Sequence, residues 1–107
     1  MSMTPSVAEW NFQCVAVMQA LLGAISPNFR RVTLDFDGGE WVISFVLEQE
    51  DALDREEIED FVGEWEALQS GPVPVAVHTW IDPGLLPLRS GQARTIFRRR
   101  ETLALDQ

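Results

Sequence analysis

The stretch from Arg31 to Glu48, RVTLDFDGGEWVISFVLE, decides the fold. From Arg31 to Asp37, Val32, Leu34 and Phe36 alternate with Arg31, Thr33 and Asp35, the period-two pattern of a strand with one buried face. Asp37-Gly38-Gly39-Glu40 is a hairpin turn whose glycines are free to take positive φ. The chain then returns from Trp41 to Glu48 with Trp41, Ile43, Phe45 and Leu47 on one face.

N-terminal to the hairpin, Val7, Trp10, Cys14, Val15, Met18, Leu21, Leu22 and Ile25 recur at helical spacing, and Glu9 is the only charge. The spacing predicts a helix from about Pro5 to Ala24, covered on more than one side. Thr4 ahead of Pro5 is one start; Ser6 with Glu9, a capping box one register later, is the other. Gly23 and Ser26-Pro27-Asn28 end it.

C-terminal to the hairpin, Asp54 with Glu57 forms a capping box that opens a second helix. Ile58, Phe61, Val62, Trp65 and Leu68 are its buried stripe, and Ser70-Gly71-Pro72 stops it. A third strand follows from Val73 to Ile81, with Pro74 placing its start at an edge or bulge. The segment from Asp82 to Gly91 is a loop, Ala93 to Arg100 a fourth strand, and Glu101 to Gln107 a frayed tail. The order αββαββ predicts a single α+β domain over residues 1–107, with two helices on one face of a mainly antiparallel sheet.

Composition narrows the function. The 107 residues suit one core, and 46% hydrophobic residues, with six Phe and four Trp, supply it without disulfides or metal. The single cysteine, Cys14, reads as a small buried hydrophobe. The apolar stretch from Cys14 to Ile25 is too short to span a membrane, and no Lys or Arg precedes Arg30 as a secretory signal requires, so the cytoplasm is expected. Seventeen acidic residues against eight basic ones, all arginine, give a net charge of −9. Such a chain is repelled by nucleic acid and anionic membranes and drawn to basic partners.

Catalysis leaves a nucleophile, base and orienter, or a metal-ligand cluster. Here one His, one Cys, no Tyr and no Lys leave neither, so no enzyme, metal or cofactor is expected. His78 reads as an ordinary strand residue. Asp35 and Asp37 share a strand face, where a carboxylate pair or weak cation site is the minor alternative to a solvated edge.

From Glu48 to Glu66 there are ten carboxylates and one Arg. Glu56, Glu59, Asp60 and Glu64 fall on the solvent side of the second helix, with Asp35 and Asp37 as candidate neighbours for partner binding. A solvated face is the bland interpretation. Against it, Glu56 with Asp60 and Asp60 with Glu64 are like charges four apart, each costing about 0.2–0.5 kcal/mol. Arg94, Arg98, Arg99 and Arg100 form a basic patch that either balances carboxylates within the fold or binds phosphate.

The run Gly23-Ala-Ile-Ser-Pro-Asn-Phe-Arg-Arg-Val, the run Asp37-Gly-Gly-Glu-Trp-Val-Ile-Ser-Phe-Val-Leu-Glu, the run Asp54-Arg-Glu-Glu-Ile-Glu-Asp-Phe-Val-Gly-Glu-Trp-Glu-Ala-Leu and the Arg98-Arg-Arg-Glu cluster together resemble small acidic immunity proteins. These are the cytoplasmic antidotes of bacterial contact-dependent inhibition and other polymorphic toxin systems. The resemblance covers Leu21 to Ile81 plus the arginine cluster. It implies binding and inactivation of one cognate toxin, often a nuclease, and assigns no binding residue. The competing expectation is a small non-catalytic adaptor or regulatory subunit that pairs with itself through a sheet edge or the first helix.

Overall fold

A computed structural model of the chain describes residues 4–87 and 91–101. Helix α1 (Val7–Ala20) is followed by strands β1 (Phe29–Asp37) and β2 (Glu40–Leu47), helix α2 (Ala52–Ala67), and strands β3 (Val75–Ile81) and β4 (Arg94–Arg98). The architecture is α+β, in the order expected.

The hairpin is intact. Gly38 and Gly39 adopt φ of 62° and 87°, the paired positive values of a turn that matches the strands' own twist, and Asp37 pairs with Glu40. The sheet order is β3-β2-β1-β4. β1 runs antiparallel to both β2 and β4, as a mainly antiparallel sheet requires, whereas β2 and β3 are parallel, so the sheet is mixed and not purely antiparallel. The cause is the crossover: α2, about 24 Å long at its helical rise, carries the chain back along β2, which spans about 26 Å. The next strand therefore starts where β2 started, with Trp41 opposite Val75.

Both helices cover the face that carries Val32, Leu34, Trp41, Ile43, Phe45 and Leu47, all buried. Trp10 of α1 stands edge-on to Trp41 at 5.0 Å, and Phe61 of α2 edge-on to Phe45 at 5.1 Å. Between the helices, the Trp65 indole N–H donates to Gln13 Oε1 at 3.0 Å, and Gln13 Nε2 donates to Gln69 Oε1 at 2.7 Å. Gln13 is a buried polar residue on an otherwise apolar face, and this network satisfies it.

Several boundaries differ from expectation. α1 starts at the second of the two candidate sites: Ser6 is the N-cap, its hydroxyl accepting from Glu9 N–H while Glu9 Oε1 accepts from Ser6 N–H. α1 is covered on one side only. Trp10, Gln13, Ala16, Val17 and Ala20 are buried, but Val7, Phe12, Val15, Met18 and Leu22 are exposed. α2 is capped by Asp51, not Asp54; Asp54 sits in the first turn, buried, and accepts from Asn28 Nδ2 at 2.9 Å. β3 and β4 are shorter than expected.

The frayed tail is corrected at its first residue. Glu101 is held by the Arg30 guanidinium and by Arg99 Nη2 at 2.9 Å. The rest of that tail, and residues 88–90 of the expected loop, lie outside the described residues.

Candidate functional site

The solvent side of α2 is acidic because its amphipathic stripe commits Ile58, Phe61 and Trp65 to the core, and Glu56, Glu59, Asp60 and Glu64 are left exposed on the opposite side. Arg55, the one cation of this helix, is not available to them: its guanidinium holds Glu50 through two 2.7 Å contacts and keeps that carboxyl below its ordinary pKa. Among the described residues, no ion pair neutralises Glu56, Glu59, Asp60 or Glu64.

Asp35 and Asp37 do not join this group. Strand alternation turns Asp35 away from Leu34 and Phe36, so it lies on the face that no helix covers. Its Oδ1 accepts from the Phe36 N–H at 2.8 Å. Asp37 is exposed at the hairpin, and the sheet stands between both carboxylates and α2. Among the described residues, no group of three or more His, Cys, Asp and Glu is placed to hold a metal ion.

The uncovered sheet face has an order that the register fixes. One row crosses all four strands as Trp80, Val46, Arg31, Arg98; the next runs His78, Ser44, Thr33, Thr95. Trp80 is 57% exposed and its ring lies 5.7 Å from that of His78. The sequence did not single out Trp80, because one tryptophan on the polar side of an alternating strand resembles any partly covered aromatic.

The arginine patch divides. Arg99 pairs with Glu48 at 2.9 Å and with Glu101, and Arg94 lies over the Trp10 ring at 4.4 Å. These two have internal roles. Arg98 and Arg100 are exposed and have no ion pair among the described residues. Cys14 is half-buried, and burial pushes its thiol pKa up while Arg94 draws it partly back, the opposite of an activated nucleophile.

A family model described as MafI2 immunity protein matches residues 13–101, from within α1 to the Glu101 clamp. The chain belongs to the MafI2 immunity protein family. The match agrees with the resemblance carried by the hairpin, α2 and the arginine run, and is consistent with an immunity protein of a polymorphic toxin system. The MafI2 segment takes in the acidic side of α2 and both rows of the uncovered sheet face, and excludes the first turns of α1. Immunity proteins in general neutralise a toxin partner and are not catalysts. No curated protein matches the chain. Among the described residues, no helix is long and apolar enough to cross a membrane.

Proposed function

We propose that this MafI2 family member binds one cognate toxin domain in the cytoplasm and blocks it by occupation, without turnover. The toxin surface it meets is basic, of the kind a nuclease offers to its phosphate substrate. The observation that carries this reading is the uncompensated row Glu56, Asp60 and Glu64 with Glu59 beside it, exposed on a helix whose only arginine is engaged elsewhere. Charges arranged in this way steer association more than they add affinity. Asp35 and Asp37, on the other side of the sheet, belong to a separate surface and are not needed for this contact.

The test is protection. The toxin gene expected immediately upstream supplies the C-terminal domain to be co-expressed with this chain. Growth should be restored by the wild type and by Cys14→Ala and His78→Ala variants that fold. Measurable turnover by the purified chain, lost in a folded His78→Ala variant, overturns the reading.

A second reading, self-association, is favoured by the exposed apolar residues Phe12, Val15 and Met18 on α1 and Leu22 in the turn that follows it. Sedimentation over a hundredfold concentration range separates it: a dimer that Phe12→Ser with Leu22→Ser abolishes supports it, and a monomer throughout removes it.

A further inference from the structure

Arg31, Arg98 and Arg100 surround a cleft of about 450 Å3 whose other walls are Leu85, Leu86, Pro87, Arg99 and Glu101. The volume lies within the range of small-ligand and peptide side-chain sites. Arg31 and Arg98 are direct partners in the antiparallel β1–β4 pairing, where opposite side chains stand about 5 Å apart and like charges destabilise the sheet.

Among the described residues, no carboxylate is free to relieve this. Glu101, the only acid lining the cleft among the described residues, is taken by Arg30 and Arg99. Arg31 Nη1 donates to the Pro87 carbonyl, but its Nε is buried without a hydrogen-bond partner. A buried unsatisfied donor beside a cross-strand pair of like charge is costly, and an acceptor entering the cleft would offset that cost.

We infer that this cleft takes the carboxylates of an acidic segment of a protein partner. Guanidinium groups match carboxylates with two parallel hydrogen bonds, which selects the ligand's charged group. The apolar wall selects what lies beside it: Leu85 is 93% exposed, and the exposed Trp80 ends the row that runs from Arg98 and Arg31 past the buried Val46. A segment that alternates acidic and apolar side chains meets both. Nucleic acid offers a phosphate to the same arginines, but the chain's net charge of −9 opposes its approach. The site lies on the uncovered sheet face, on the other side of the sheet from the helices, so a contact here adds to one at α2 and does not compete with it. It rests on the proposed function only in supposing a protein partner.

The experiment needs no toxin. Nitrogen-15-labelled full-length protein is titrated with a peptide of alternating Glu and Leu, with the same peptide carrying Gln for Glu, and with a single-stranded DNA oligomer, observing arginine Nε–Hε signals. The Glu peptide should shift the Arg31 and Arg98 signals, the Gln peptide should leave them unmoved, and Arg98→Gln with Arg100→Gln should weaken the Glu peptide by about tenfold with the fold intact by circular dichroism. No shift with the Glu peptide, equal shifts with the Gln peptide, or tighter binding of the DNA each overturns the inference. Growth protection by the same double variant is scored separately, so failure of this site is distinguished from failure of toxin binding as such.

Discussion

Arg30 illustrates how a single residue can organise a surface without leaving a mark in the sequence. Its side chain is 5% exposed and donates to Glu101 and to the carbonyls of Asp82 and Gly84, tying β1 to the start of the β3–β4 connection and to the last described residue. No spacing pattern could pair residues 30 and 101, which is why the tail was expected to fray from Glu101 onward. The hydrogen bonds from Arg30, seconded by Arg99, hold the Glu101 carboxyl at about 2, against an ordinary value of 4.5. A carboxyl with a depressed folded pKa stabilises the fold above its unfolded pKa and loses that contribution as it protonates. The contribution should therefore be complete at neutral pH and disappear as pH falls from about 4.5 towards 2. Glu101→Gln should cost about 2 kcal/mol at pH 7, less than a fully buried pair because Glu101 is partly exposed. Melting curves taken at steps between those pH values should show the wild type and variant converging at the acid end; parallel curves would contradict the assignment.

At the scale of elements, what was legible depended on whether polar residues marked the solvent side. The hairpin was readable because alternation and Asp37-Gly-Gly-Glu40 agree, and α2 because its carboxylates oppose Ile58, Phe61 and Trp65. The exposed side of α1 mixes Glu9, Asn11 and Gln19 with Phe12, Val15 and Met18, so its periodicity could not tell the buried Ala16 and Val17 from the exposed Phe12 and Val15. Gln13, polar like these three, is instead the buried acceptor for Trp65. The parallel β2–β3 pairing was implicit in a strand, a helix and a strand of matched lengths, yet adjacency cannot be read from order alone. Two stability measurements check this assignment. Phe12→Ser should change the unfolding free energy by less than about 0.5 kcal/mol in a monomer, whereas Trp65→Ala should cost about 3–5 kcal/mol. Gly63 lies within α2 on its exposed side, and a Cβ added there meets nothing within 4 Å. Gly63→Ala should thus stabilise the protein by about 0.5–1 kcal/mol in denaturant titrations; a loss of stability would mean that the α2 surface is more crowded than described.

For the molecule as a whole, the candidate binding residues were legible as a charge pattern but not as a surface. The acidic stripe of Glu56, Glu59, Asp60 and Glu64 is where helical spacing places it, while Asp35 and Asp37, close to it only in the imagination of a one-dimensional reading, are screened from it by the sheet. The arginine run, one block in sequence, is divided by strand alternation and ion pairing into internal clamps and two exposed cations with no ion pair among the described residues. The result is a domain with carboxylates outward on α2 and an aromatic and arginine row on the far side of its sheet. Steering by α2 is the claim on which the functional account stands, and association kinetics test it most directly. Wild type and the Glu56→Lys, Asp60→Lys, Glu64→Lys variant are mixed with the proposed cognate toxin domain, at about 50 and 300 mM salt. The wild type should associate at least about tenfold faster than the variant at low salt and lose most of that advantage at high salt, with melting temperatures equal or slightly higher for the variant. Equal association rates for a folded variant at both salt concentrations would contradict the account.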